Sequence, residues 1–151
     1  MKITNIITKQ NIFLELEVSS KKLLFKEISI IISKKENIKT NQILESLNER
    51  EKLGSTAIGN GIAIPHTKIN GLKKIFSLFI KLNKPIDFSA NDSKRVDLVF
   101  VIIAPEDSTT DHLLALSEIS KFLKITKNVE KLRKSKSIEK IYKLLQEFNE
   151  D

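Results

Sequence analysis

Histidine is scarce in this chain. One of its two copies, His66, closes the run Gly54-Ser55-Thr56-Ala57-Ile58-Gly59-Asn60-Gly61-Ile62-Ala63-Ile64-Pro65-His66. Three glycines, which admit φ > 0, and a proline, which fixes φ, specify the backbone ahead of that imidazole closely. With an unperturbed pKa of ~6.5, an imidazole is largely uncharged at neutral pH and offers a nucleophilic nitrogen. Such a nitrogen could take a phosphoryl group, ligate a metal, or sit in a loop as an ordinary side chain. The other histidine, His112, lies 46 positions further on with no set of partner ligands at metal-site spacing, so a metal centre is disfavoured. The glycine-rich run has no Gly-Lys-Ser/Thr ending, which leaves nucleotide binding unsupported, and no Gly-x-Ser-x-Gly elbow of a serine hydrolase occurs.

Two further residue types suit an anion. A histidine in a helix's first turn sits where free N–H groups and the helix dipole favour negative charge, and His112 occupies such a position at the head of an apolar-periodic segment. The guanidinium fork of Arg50 fits phosphate oxygens bidentately, although on an open surface it would be only a weak ion-pair former. Gly59 and Gly61 would let the backbone pass close to a phosphate and donate its N–H groups, or would simply make a tight turn. Ser55 and Thr56 have hydroxyls for either duty.

The elements that must position these groups follow from periodicity. Ile12, Leu14 and Leu16 alternate with Phe13, Glu15 and Glu17 as a first strand. Residues 20 to 33 place Leu23, Leu24, Ile28, Ile31 and Ile32 on one helical face, capped by Ser19 or Ser20. A second helix runs from Thr40 through Ile43, Leu44 and Leu47, carries Arg50 at its end and stops near Gly54, a suitable C′ residue. Ile75 to Leu82 and Val96 to Ala104 read as strands, the latter apolar enough to be covered on both faces, with Pro85 to Lys94 as the loop between them. The polar stretch Glu106 to Asp111 precedes a third helix defined by Leu113, Leu114, Leu116, Ile119, Phe122 and Leu123. A last helix spans Ile138 to Phe148. Mixed strands and helices imply an α/β domain, and no repeat or linker divides residues 1–151.

A chain of 151 residues suits one domain with a sizeable core. The absence of cysteine removes disulfides, thiolate metal sites and cysteine nucleophiles. The first residues lack the apolar core of a secretory signal and no run approaches membrane-span length, so a cytoplasmic protein with no direct membrane insertion is expected. The net charge of +7 comes from lysines spread along the whole sequence and speaks to solubility more than to partners. Lys131, Arg133, Lys134 and Lys136 raise a nucleic-acid-binding alternative. No recognition signature or stacking aromatic accompanies them, and a solvated helix face is the simpler reading.

The same residues carry a family resemblance. Arg50-Glu51-Lys52 leading into Gly54-Ser55-Thr56, the run Ile58 to Pro65-His66, and His112-Leu113 followed by Leu116-Ser117 resemble, in that order and over nearly the whole chain, the type-2 IIA domains (fructose/mannitol class) of the bacterial phosphoenolpyruvate-dependent phosphotransferase system. Within that class the nitrogen-regulatory branch is most similar. Asn60 supports it, since some sugar-specific relatives carry an acid there, whereas Thr67 departs from the commoner Gly or Ala.

The resemblance implies a layered α/β/α domain with a mixed sheet. It implies that His66 accepts phosphate at Nε2 from the histidine phosphocarrier protein (HPr) or its nitrogen-branch counterpart; for Nε2 to present its lone pair, Nδ1 should donate to a fixed acceptor such as a backbone carbonyl. His112 and Arg50, with Asn60, Gly59, Gly61 and Ser55, would bind or support the phosphoryl group, with no metal or cofactor. Downstream partners would be regulated proteins or, in the sugar-specific alternative, a IIB component. By analogy the phosphocarrier would meet an apolar rim, for which Ile58, Ile62 and Ile69 are candidates, each of which could equally be core.

Overall fold

The computed structural model describes residues 1–148. Two long antiparallel strands, β5 (Phe76–Ile86) and β6 (Val96–Pro105), form the centre of a six-stranded mixed sheet. Along β6 every second side chain changes face. Val99, Val101 and Ile103 join one buried cluster, and Leu98, Phe100 and Ile102 join the other. The first cluster is covered by α1 (Lys21–Glu36) and α2 (Thr40–Lys52), the second by α3 (Thr110–Leu123), α4 (Thr126–Lys134), α5 (Ile138–Glu147) and a short 3-10 turn at Ile3–Asn5. The run from Leu98 to Ala104, apolar throughout, is thus explained by helices on both sides, and the layered α/β/α expectation holds. Phe100 lies 4.7 Å from Phe79 and 6.5 Å from Phe122 between ring centroids, so truncating it to alanine would cost about 3–5 kcal/mol.

Strand β1 (Ile12–Leu16) runs parallel to β5 at one edge of the sheet. Ser20 caps α1 by accepting from the Leu23 N–H, and Asn37, in the left-handed region at φ 54°, ends it. Leu23, counted on the buried face of that helix from its spacing, is instead 45% exposed, because the face that meets the sheet is set by Leu24, Phe25, Ile28 and Ile32. Strand β5 also runs through Pro85 to Ile86, past the expected loop boundary. The β5–β6 register shifts between Lys81 and Ile86, and proline is tolerated at such an irregularity.

The glycine-rich stretch is more structured than a loop. Ala57–Gly59 (β2) and Ile62–Ala63 (β3) make a hairpin whose central residues, Asn60 at φ 55° and Gly61 at φ 75°, are both left-handed, the geometry of a type I′ turn and its Asn-Gly preference. Strand β3 pairs in parallel with β6 at Leu98 and Val99. Pro65 then interrupts the ladder because it has no N–H, while its carbonyl still accepts from the Ile102 N–H at 2.9 Å. Pairing with β6 resumes as β4 (His66–Ile69), opposite Ile102 to Pro105.

Candidate functional site

His66 is the first residue after the proline break, half-buried at the start of β4, the strand that pairs with β6 and packs against α2. Its Nδ1 lies 2.7 Å from the Ile64 carbonyl. A carbonyl can only accept, so Nδ1 carries the proton and Nε2 keeps its lone pair. Burial pushes the pKa of His66 below its usual value, and the Arg50 guanidinium pushes the same way. The Ile64 hydrogen bond and Glu51 oppose them. The ring is therefore neutral at pH 7 in one tautomer, with its nucleophilic nitrogen free.

The His112 ring stands 5.5 Å from that of His66, centroid to centroid, tilted by 50°. It is delivered by the short connection from the end of β6 into the first turn of α3, the position expected from the sequence. Its Nδ1 is buried without a hydrogen-bond partner among the described residues, which leaves Nε2 as the nitrogen available to a ligand. Burial, then His66, then Lys68 lower its pKa. Lys68 was not singled out in the sequence. It projects from the same face of β4 as His66, two residues on, and the period of a strand would have pointed to it.

Arg50 sits in the last turn of α2, and its Nη1 donates to the Gly54 carbonyl at 2.9 Å. The neighbouring Glu51 braces the turn that follows. Its carboxylate is 7% exposed and accepts from the Thr56 N–H (2.9 Å), the Thr56 hydroxyl (2.7 Å) and the Lys21 ammonium (3.1 Å). Ser55 is occupied as well, its hydroxyl donating to the Phe88 carbonyl at 2.6 Å. Thr56 in turn offers its carbonyl to the Ile64 N–H, so this turn lies against the backbone leading into His66. On the other side of β4, Ser46 of α2 donates to the Lys68 carbonyl at 3.1 Å, and the Thr67 hydroxyl lies 2.7 Å from the Ser46 oxygen. The unusual Thr67 is thereby tied to α2.

Gly59, Asn60 and Gly61 are not brought to His66. Their hairpin meets β6 at Asp97 and Leu98, whereas His66 meets it at Ile102, a separation of about 13 Å at ~3.3 Å per residue. The left-handed residues there serve the turn. Asp92 accepts from the Asn60 N–H, and Arg133 donates to the Asn60 carbonyl while pairing with Asp97 at 2.9 Å. A Cβ on Gly61 would approach Arg133 Nη2 to 2.7 Å. Arg133, read as part of a solvated basic face, is thus a structural brace. Ile62 and Ile69 are core, whereas Ile58 is 53% exposed; near Arg50 and His112 in the sequence Leu53 (84%) is exposed, as are Leu113 (65%) and Leu114 (41%), although their spacing counts them with the apolar face of α3. Among the described residues no group of three or more His, Asp or Glu side chains could hold a metal ion, and no helix is long and apolar enough to cross a membrane.

Residues 5–148 match the family described as "Phosphoenolpyruvate-dependent sugar phosphotransferase system, EIIA 2". A nitrogen regulatory protein of Bradyrhizobium diazoefficiens is 41% identical over 145 residues, which are 96% of this chain and 95% of that protein. The crystal structure of nitrogen regulatory protein IIA-Ntr from Neisseria meningitidis superposes with a TM-score of 0.90 at 36% identity, covering 95% of this chain and 98% of that one. The mannitol enzyme IIA of Escherichia coli, solved in complex with phosphorylated mannitol enzyme IIB, shares the fold with a TM-score of 0.79 at 20% identity over 93% of this chain and 96% of that one.

Proposed function

The chain belongs to the type-2 EIIA family of the phosphoenolpyruvate-dependent sugar phosphotransferase system, and from that premise we propose that it carries a phosphoryl group on Nε2 of His66 as a nitrogen-regulatory IIA protein. One observation carries the reading: the His66 Nδ1–H held at 2.7 Å by the Ile64 carbonyl, with the second imidazole 5.5 Å away. The donor is a phosphohistidine of the histidine phosphocarrier protein or its nitrogen-branch counterpart. In the transfer the donor's N–P bond breaks, its electron pair returns to the donor imidazole, and the Nε2 lone pair of His66 forms the new N–P bond. Positive charge develops on the His66 ring as it does so. The Ile64 carbonyl stabilises that charge through the Nδ1–H, and no proton has to move.

Phosphoryl transfer needs chiefly positioning and charge stabilisation. His112 Nε2 and the Arg50 guanidinium supply donors to the phosphoryl oxygens, Lys68 adds positive potential, and Ser55 and Glu51 hold the turn between Arg50 and the backbone leading into His66. Leu53 and Leu113 form the apolar contact for the carrier. The 41% identity with a nitrogen regulatory protein supports a regulatory output over sugar uptake.

The test is incubation with phosphoenolpyruvate, enzyme I and the phosphocarrier, read by intact mass. One acid-labile phosphate on the wild type, absent from His66→Ala and slowed in His112→Ala and Arg50→Ala, is expected. Phosphate gained by His66→Ala, or never gained by the wild type, overturns the proposal. Onward transfer to a IIB component would assign the protein to the sugar-specific class instead.

A further inference from the structure

Away from His66, α4 and α5 enclose an open groove of about 770 Å³. Among the described residues its walls carry Lys131, Lys134, Lys136, Lys140 and Lys143, all exposed, against one carboxylate, Glu147. Among the described residues Lys131, Lys134, Lys136 and Lys140 have no ion-pair partner, and Lys143 reaches Glu147 only at 3.9 Å. Lys131 and Lys134, like Lys140 and Lys143, sit three apart on one helix, an arrangement in which like charges repel and destabilise the helix slightly. Ile141, fully buried, closes the floor, and the apolar surface open to a partner is that of the half-buried Leu144 and the methylene stems of the lysines.

The shape of this groove is held from beneath. The Lys81 ammonium donates to the carbonyls of Arg133 and Ser135, which fixes the end of α4, and the Ser137 hydroxyl caps α5 by accepting from the Lys140 N–H. Lys81 lies opposite Leu98, the hairpin end of β6, whereas His66 lies opposite Ile102. A partner seated here would leave the imidazole pair uncovered.

We infer that the α4–α5 groove is a docking site for an acidic amphipathic helix of a partner protein, engaged independently of phosphoryl exchange at His66. Carboxylates on such a helix would relieve the repulsion among the lysines, and a row of apolar side chains would cover Leu144 and the lysine stems. Nucleic acid fits less well. Among the described residues no aromatic side chain lines the groove to stack on a base, and Arg133, the one arginine of α4, is committed to Asp97 and the hairpin.

The test uses the full chain and three fluorescein-labelled probes of similar charge. These are a Glu/Leu peptide with leucines at i, i+3, i+4 and i+7, an isomer of the same composition with its leucines scattered, and an oligothymidylate. Anisotropy is read at about 50 mM and 200 mM salt, where screening separates charge from apolar contact. Saturable binding of the patterned peptide is expected, weakened roughly tenfold or more in the isomer and in a Lys134→Glu/Lys140→Glu variant, on the scale of several exposed charge pairs. Amide-shift mapping of the wild-type protein should confine the perturbed residues to 131–147.

The inference is overturned by equal affinity for the two peptides, by tighter binding of the oligothymidylate, or by shifts centred elsewhere. Absence of saturation below about 1 mM overturns it too. The mapping needs no variant, so it decides the matter even if the double substitution disturbs the helices.

Discussion

Replacing Glu51 with glutamine should loosen the turn, Gly54 to Thr56, on which Arg50 rests and which carries Ser55. The carboxylate accepts three hydrogen bonds in a site only 7% exposed. Glutamine is isosteric but offers one oxygen where there were two, and it turns an amide NH2 toward one of three donors. Leaving a buried donor unpaired costs ~1–3 kcal/mol, and weakening a hydrogen bond to a charged acceptor costs up to a similar amount. The Lys21 bond contributes under ~1 kcal/mol, because its ammonium remains partly hydrated. The sum is about 3 kcal/mol, or about 6–12 °C in melting temperature for a chain of this size. Urea denaturation of the wild type and Glu51→Gln measures it directly. Phosphorylation of the folded variant by the phosphocarrier should also slow, since Arg50 and the Thr56–Ile64 link lose their support. A loss below about 1 kcal/mol with an unchanged rate would refute the bracing role.

Gly61→Ala should destabilise by about 2–4 kcal/mol, from left-handed strain and the Arg133 clash, yet leave phosphorylation of the folded protein unchanged. A selective loss of phosphorylation would return the hairpin to the phosphate site. Thr67→Val should cost about 1 kcal/mol through the lost Ser46 contact, as urea denaturation would report. Leu113→Asp should raise the KM for the phosphocarrier about tenfold or more with an unaltered melting temperature, since a desolvated apolar anchor is removed without touching the core. Both histidines have pKa values below 6.5, so between those values and 6.5 the unfolded chain binds more protons than the native one. Stability therefore rises with pH through that window and falls on acidification. The phosphorylation rate should be flat above pH 6.5 and decline only below it, and imidazole titration by NMR gives the midpoints.

The layers are legible in the sequence wherever a period is long enough. Strand β6 reads as buried on both faces, α2 is seen to carry Arg50 near its end, and His112 falls in the first turn of α3, as the structure has it. Helix α4 is missed because only Val129 and Leu132 mark its buried face over nine residues. The glycine run reads as a loop because two-residue and three-residue strands are too short to alternate. Its glycines point equally to a phosphate cradle and to a turn, and only the parallel register with β6 separates the hairpin from His66. The bracing role of Glu51 is invisible for a different reason. Its partners Thr56 and Lys21 come from a turn and from another helix, and no local spacing announces such a convergence.

The two imidazoles are unlike despite their proximity, and the difference predicts which one reacts. An attacking ring acquires positive charge, and at His66 the Nδ1–H already points to the Ile64 carbonyl, so the charge is met as it forms. At His112 the Nδ1 is buried with no acceptor among the described residues, and a charged ring would be stranded there. His112 is therefore suited to remain neutral and bind, and it should not substitute as acceptor when His66 is removed. Under prolonged incubation with excess phosphocarrier, His66→Ala should stay unmodified by mass. His112→Ala should still reach one phosphate per chain, only more slowly. Phosphate on His112 in the first variant would mean that ring proximity, not the backbone carbonyl, selects the nucleophile.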